Sequence, residues 1–293
     1  MWAFGYLAFL LAAAWIAASS PIAFQKANVV TPSTPRGVPD LIVSTPLDAD
    51  KVVGDIPYRG GEVWAVKPSA KYEATILGGS GNCATKTLGL AHYLGENGID
   101  YQIIDLMHSG TFLAGIGHTL MRVAYRHNGQ ERVGLIDMLE GGLPTDGERY
   151  FDVADLTDGA IPNAKVDPLN ERKDDHARYF GAFLDGVVIG YRSAADVNRY
   201  HGFVDSIYVP LGHEKLEKYV YDGVSLIFGY LPSLQVTEYE RMLEDIGPTI
   251  YLHRFALWTL RSALVVFPLM FVIGWRQHHS ARREQVAAGS IRP

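Results

Sequence analysis

The stretch from residue 78 to residue 98, GGSGNCATKTLGLAHYLGENG, decides the fold around it. It opens with a glycine-rich entry, and apolar residues then recur at the spacing of one helix face, at Ala84, Leu88, Ala91 and Leu94. Ser80 or Asn82 can cap the start of this helix, and one of the glycines that follow can end it in a left-handed turn. The pattern predicts a helix whose first turn contains Cys83.

Cys83 is the only cysteine among 293 residues, so neither an internal disulfide nor a zinc site built on several thiolates is possible. In the first turn of a helix, unpaired backbone N–H groups and the positive end of the helix dipole stabilise a thiolate. The predicted position therefore suits a thiol nucleophile. Taken alone, it also suits a small buried side chain without a chemical role.

Three β-strands are predicted downstream of this helix. The first covers Tyr101–Met107, and the other two cover His118–Arg126 and Arg132–Met138. Between the second and third lies Asn128-Gly129, the dipeptide most typical of a type I′ hairpin turn. The sequence therefore predicts an antiparallel hairpin at this point.

The hairpin turn fixes the register of its two strands. With Asn and Gly at the centre of the turn, His127 pairs with Gln130, and Leu120 lies opposite Asp137. Because side chains alternate along a strand, His118 is the diagonal neighbour of Asp137 on one sheet face, with Cβ atoms roughly 7–8 Å apart. An imidazole and a carboxylate can bridge that distance.

A thiol, an imidazole and a carboxylate form a recognisable catalytic set. A free thiol is mostly protonated at neutral pH, so a thiol nucleophile needs a base or a helix end. In this interpretation Cys83 is the nucleophile, His118 takes and returns the proton, and Asp137 fixes the imidazole tautomer and its charged form.

Other residues can contribute to the same cleft. The oxyanion would lie near the backbone N–H of the cysteine, and Asn82 and Trp64 are candidates, by residue type, for a second donor. His92 and His108 are close enough in sequence to compete as the base. Of these two, His108 follows a strand on a Ser-Gly-rich loop and could line the cleft, whereas His92 is expected on the helix surface.

Four short motifs resemble the transglutaminase-like superfamily, in the form of its bacterial membrane-anchored members. They are Gly-Ser-Gly-Asn-Cys at 79–83, Gly-Ile at 98–99, Gly-His-Thr at 117–119 and Leu-Ile-Asp at 135–137. The resemblance runs from Gly78 to Gly142. It implies an α+β fold with a papain-like core, a helix carrying the cysteine packed on an antiparallel sheet. It also implies a Cys83–His118–Asp137 triad that transfers acyl groups through a thioester, without a cofactor.

Both ends of the chain are predicted to be membrane segments. Residues 2–18 carry no charge, and an uncleaved anchor and a cleaved signal are both open for residues 1–24. Near the other end, Phe255–Trp275 contains a single charge, Arg261, about two turns from the predicted outer end, where it could snorkel to the interface. Basic residues follow this segment, at Arg276, Arg282 and Arg283, and basic flanks favour the cytoplasmic side.

The composition limits the remaining choices. The chain is 48% hydrophobic with a net charge of −6, which argues against both a disordered protein and a nucleic-acid partner. The Asp174-Asp175-His176 run is interpreted as a solvated helical face, so no metal site is expected. The predicted organisation is an N-terminal segment over 1–24, a proline-rich linker over 25–60, a catalytic domain over 61–200, a helical and aromatic extension over 201–253, a membrane helix over 254–276 and a basic cytoplasmic tail over 277–293.

These observations predict an extracytoplasmic thiol enzyme held in the inner membrane, acting on an amide or acyl group of an envelope peptide, protein or polymer. Two alternatives remain open. The first is a catalytically silent scaffold of a membrane assembly complex, because Thr119, Gly134 with Leu135, and Met138 depart from the residues usual in the family beside the triad, and because a second membrane segment is predicted. The second is a small-molecule acyltransferase resembling arylamine acetyltransferases. A lipid bilayer is the expected partner, with a membrane protein as a further possibility.

Overall fold

The computed structural model describes residues 38–42, 45–108, 117–156, 161, 163–170, 180, 187–236 and 239–287. The predicted N-terminal membrane segment over 1–24 lies outside these residues, as does the Asp174-Asp175-His176 run. The helices are α1 (Ala49–Val52), α2 (Pro68–Tyr72), α3 (Cys83–Glu96), α4 (Ala194–Ile207), α5 (Glu214–Phe228) and α6 (Tyr239–Ala287). The strands are β1 (Leu47–Asp48), β2 (Tyr101–His108), β3 (Gly117–His127), β4 (Gln130–Ile136), β5 (Gly142–Thr145), β6 (Lys165–Pro168), β7 (Val187–Ser193) and β8 (Gln235–Val236).

A mixed sheet forms the centre of the molecule. In the described residues it has six strands: β3 pairs antiparallel with β2 and β4 and parallel with β1, while β7 joins β2 and β8 joins β7. Strands β5 and β6 form a separate two-stranded sheet. Helices packed beside a largely antiparallel sheet make the fold α+β, which confirms the predicted class at that level.

The sheet is buried on both faces, and this explains why neighbouring residues of β2 are both apolar. Ile103 faces the core that contains Leu90 and Leu94 of α3, and Ile104 faces a second core that contains Leu120 and Phe180. All six side chains are fully buried. Burial of apolar surface on both faces fixes the sheet between two layers, with α3 packed against β3 and β2.

The predicted hairpin is confirmed in its register. His127 pairs with Gln130, and Met121 pairs with Ile136. Continued by one residue, this register places Leu120 opposite Asp137. Asn128 and Gly129 both have positive φ, 50° and 74°, as a type I′ turn requires. The turn chemistry therefore sets the register all the way to the functional end of the hairpin.

The folded body begins earlier than the sequence analysis places it. The predicted linker over 25–60 includes β1, which pairs with the end of β3, and α1. Leu47, Ala49 and Val53 are buried in the same core as α3. The proline-rich composition upstream concealed this short strand and helix, because neither is long enough to show a hydrophobic period.

Helix α6 contains the candidate membrane segment. Its stretch Ile250–Gln277 is long and apolar enough, by length and composition, to cross a bilayer. Arg261 lies within this stretch, and its side chain donates to the carbonyls of Leu226 (2.7 Å) and Ile227 (2.8 Å) at the end of α5. The arginine thus connects α6 to the end of α5. From the sequence, its side chain was expected to reach the membrane interface instead.

Candidate active site

The glycine-rich entry sets Cys83 at the first position of α3. Asn82 is the N-cap, and its side-chain oxygen accepts from the Thr85 backbone N–H at 2.9 Å. Gly79 and Gly81 have positive φ, and a Cβ on Gly79 would lie 1.5 Å from the Pro57 carbonyl oxygen. Glycine is therefore required where the chain turns into the helix, and the turn presents the thiol at the helix start.

His118 and Asp137 form a buried pair at the end of the hairpin. His118 Nε2 lies 2.7 Å from Asp137 Oδ2, and both side chains are fully excluded from solvent. The other carboxylate oxygen, Oδ1, accepts from the backbone N–H groups of Leu139 (3.0 Å) and Glu140 (3.1 Å). The carboxylate is thereby fixed in position before it orients the imidazole.

The thiol of Cys83 lies next to this pair. Cys83 is close enough to His118 to contribute to the raised pKa of the imidazole, and since Nε2 is taken by Asp137, the ring nitrogen available to the thiol is Nδ1. Burial by itself lowers the pKa of His118, but the Asp137 charge and hydrogen bond, with the Cys83 contact, outweigh burial and raise the pKa to about 10. A protonated imidazole at neutral pH stabilises a thiolate beside it.

Cys83 and His118 are among the residues that line a cavity of about 450 Å³. Its walls come from α3, from β2 and β3, from Arg192 of β7, from α5 and from the segment that precedes β8. Ala84 and Leu88, which the sequence places on the buried face of the helix, line this cavity and are only half-buried, although Leu88 also packs against the core, whereas Ala91 and Leu94 are fully buried. The helix therefore presents one part of its apolar stripe to the core and the other to the cleft.

Charged residues line the cavity beside the apolar ones. Arg192 binds Asp105 through two hydrogen bonds, of 3.0 and 2.9 Å. On α5, Lys218 Nζ lies 2.5 Å from the carboxylate of Asp222. The fifth charged residue is Lys71 of α2, which is 5% exposed.

The remaining sequence candidates have different outcomes. Asn82 lines the cavity, with its side-chain oxygen engaged in capping. Trp64 does not line it, and its Nε1 donates to Glu62 at 3.1 Å. His108 is the last residue of β2, and its side chain lies outside the described part of the structure. His92 packs against the rings of Tyr72 and His201, apart from the thiol.

The sequence did not predict the charged residues that line the cavity. Apart from Lys218 and Asp222, which are four residues apart on α5, these residues come from separate elements, so no local spacing connects them. One signal was present: Asp105 interrupts the apolar run of β2, where the side chains on both sides of it in the strand are buried. A carboxylate inside such a run needs a partner, and the structure supplies Arg192 and the Thr119 hydroxyl, which donates at 3.0 Å.

Among the residues that the structure describes, no group of three or more histidine, cysteine or acidic side chains could hold a metal ion. Comparisons with protein-family models, curated proteins and solved structures return no match for this chain. The case for function therefore depends on the geometry of the site.

Proposed function

We propose that this protein is a membrane-anchored thiol enzyme of transglutaminase-like type that transfers acyl groups through a Cys83 thioester, acting outside the cytoplasm on amides of an envelope peptide, protein or polymer. The observation that carries the proposal is the grouping of Cys83, His118 and Asp137: His118 contacts Asp137, Cys83 is close enough to raise the pKa of His118, and Cys83 and His118 line one cavity. Three chemically matched groups, brought together from a helix, a strand and a turn, favour catalysis over separate structural roles.

The proposed reaction uses His118 twice. The imidazole accepts the thiol proton at Nδ1, and Cys83 Sγ attacks the carbonyl carbon of the substrate amide. Collapse of the tetrahedral intermediate breaks the C–N bond, and the imidazolium returns its proton to the leaving amine. Water or a second amine then attacks the thioester, giving up a proton to His118, which passes it to the departing Sγ. The enzyme is thus restored after either hydrolysis or transamidation.

The helix start supplies a place for the oxyanion. The backbone N–H of Cys83 lies in the first turn of α3, where backbone N–H groups lack helical partners. The side-chain NH₂ of Asn82 is a second candidate donor, since the capping contacts use only its oxygen. Donors fixed by a helix cap need little reorganisation as negative charge develops on the carbonyl oxygen.

The membrane location is supported by the surface of α6. Large apolar side chains from Val265 to Trp275 are exposed along this helix, a surface that water disfavours and hydrocarbon accepts. Arg276, Arg282 and Arg283 follow the apolar stretch in the sequence. The positive-inside rule then puts the C-terminus in the cytoplasm and the cleft on the opposite side.

The proposal is tested by the rate at which iodoacetamide alkylates Cys83 as a function of pH. The full chain in detergent is compared with His118→Ala and with a matched control, His92→Ala, whose imidazole is apart from the thiol. We expect rapid labelling near pH 6 in the wild type and the control, and labelling at least about tenfold slower in His118→Ala. Because the chain has one cysteine, all labelling reports on this site.

Slow labelling that follows an ordinary thiol titration and is unchanged in His118→Ala would overturn the proposal. It would mean that the thiol and imidazole do not act together, and a silent scaffold would then explain the fold better. Circular dichroism of each variant establishes that the labelling differences do not come from unfolding.

A further inference from the structure

Lys71 is a buried cation in the wall of the active-site cavity. Its side chain is 5% exposed, and it lines the same cavity as Cys83 and His118. Within the described residues, its amine takes part in no ion pair within 4 Å and no side-chain hydrogen bond. A buried ammonium is costly unless a negative group or a set of acceptors compensates it.

The other charges of the wall are already paired. Arg192 is held by Asp105, and Lys218 is held by Asp222, which also accepts from the Tyr200 hydroxyl at 2.7 Å. Outside the Cys83–His118–Asp137 set, the cavity wall thus has three cations and two carboxylates, and Lys71 is the cation in excess. Burial, Lys218 and Arg192 lower the pKa of Lys71 to about 8, with Asp222 partly opposing them, so the amine still carries its charge at pH 7.

We propose that Lys71 forms a subsite for one carboxylate of the acyl donor, so that the enzyme acts on amides whose acyl part carries a negative charge. This inference depends on the proposed function, since it assigns the substrate of the same cleft. A carboxylate brings one negative charge and matches the single excess cation. A phosphate monoester brings about −1.5 to −2 at pH 7 and would leave negative charge uncompensated in a buried wall.

The test compares two reagents of similar size that differ in charge, iodoacetate and iodoacetamide. Both alkylate the same thiolate, so the ratio of their rates cancels the ionisation of Cys83 and reports the preference of the cleft for an anion. The ratio is measured on the full chain in detergent for the wild type, Lys71→Met, Lys71→Arg and the control Lys51→Met, which removes an exposed lysine of α1. Acetate and inorganic phosphate, at matched ionic strength, serve as competitors of iodoacetate.

We expect the iodoacetate-to-iodoacetamide ratio to fall about three- to tenfold in Lys71→Met and to stay near the wild-type value in Lys71→Arg and Lys51→Met. Acetate should slow iodoacetate labelling more than phosphate does. Methionine fills a similar volume without a charge to desolvate, so the variant is expected to fold. A ratio unchanged in Lys71→Met, or stronger competition by phosphate, would overturn the carboxylate subsite.

The two proposals can fail separately. If Cys83 is labelled quickly and the rate depends on His118, but the ratio of the two reagents' rates does not depend on Lys71, the proposed thiol enzyme is supported and the carboxylate subsite is refuted. If labelling is slow and independent of His118, the proposed function falls, whatever the ratio shows.

Discussion

Asp137 connects the fold of the hairpin to the chemistry of the thiol. One carboxylate oxygen accepts two backbone N–H groups of the turn that follows, and the other contacts His118. The backbone of the same residue pairs with Gly142, whose N–H and carbonyl both face it. Gly141 has a positive φ of 67°, which closes this turn. The position of the carboxylate is therefore determined by backbone geometry rather than by a flexible side chain.

Asp137→Asn keeps this geometry and removes the charge. Burial, which lowers the pKa of His118, is then no longer opposed by a carboxylate, so the imidazole becomes neutral at pH 6.5. We expect iodoacetamide to alkylate Cys83 at pH 6.5 at least about tenfold more slowly, with the pH profile moved to higher pH. Asp152→Asn, which weakens the ion pair with Arg122 elsewhere on the sheet, is the matched control. Equal rates in the two variants would show that the carboxylate does not govern the imidazole.

At the scale of elements, the sequence predicts those parts of the site that local chemistry determines. A capping asparagine and glycines with positive φ predict the helix start, and Asn128-Gly129 predicts the register that joins His118 to Asp137. The opposite wall of the cleft could not be predicted in this way. Lys71 of α2 and Asp222 of α5 line the same cavity only because the tertiary fold brings their helices to it, and no periodicity in either helix encodes that neighbour.

The contact between α5 and α6 depends on one side chain, Arg261, and can therefore be tested by a single mutation. Arg261 donates two hydrogen bonds to carbonyls at the end of α5, where Gly229 adopts a left-handed conformation and closes the helix. Hydrogen bonds from a charged donor are worth roughly 1.5–3 kcal/mol. This contact holds the body, including the Lys218 and Asp222 side of the cleft, against the long helix.

Arg261→Leu should therefore lower stability even though it extends the apolar stretch of α6. We expect the thermal unfolding midpoint of the full chain in detergent to fall by several degrees, about 2–4 °C per kcal/mol. Ser262→Leu, at an exposed neighbouring position, adds similar apolar surface without removing the contact and is expected to leave the midpoint unchanged. A loss of stability in both variants would indicate that added hydrophobicity, and not the lost contact, is responsible.

For the whole molecule, the pH dependence of stability reports how many protons the active site binds. His118 has a folded pKa of about 10 against an ordinary value of 6.5, so its contribution is fully present below pH 6.5 and is lost as pH rises through 10. Buried His201 affects stability at lower pH. Burial lowers its folded pKa to about 3, so the free energy of unfolding rises with pH up to about 6.5. Above pH 8, Lys71 has the opposite effect to His118. Its folded pKa is lower than its unfolded pKa, so the free energy of unfolding rises with pH there. The window from pH 6.5 to 8 therefore isolates the active-site pair.

In that window the wild type and Cys83→Ala should differ. If the imidazolium holds the proton of the thiol, the folded pair and the unfolded chain bind the same number of protons, and the free energy of unfolding stays nearly constant with pH. In Cys83→Ala the imidazole takes its proton from solvent, so the free energy of unfolding should fall by up to about 1.4 kcal/mol per pH unit. Thermal or denaturant unfolding of the full chain in detergent at pH 6.5 and 8 measures both slopes, and Cys83→Ala/His118→Ala, which lacks both groups, should be flat. A wild-type slope as steep as that of Cys83→Ala would mean that the thiol keeps its proton beside a charged imidazole, which contradicts an activated nucleophile in the resting protein.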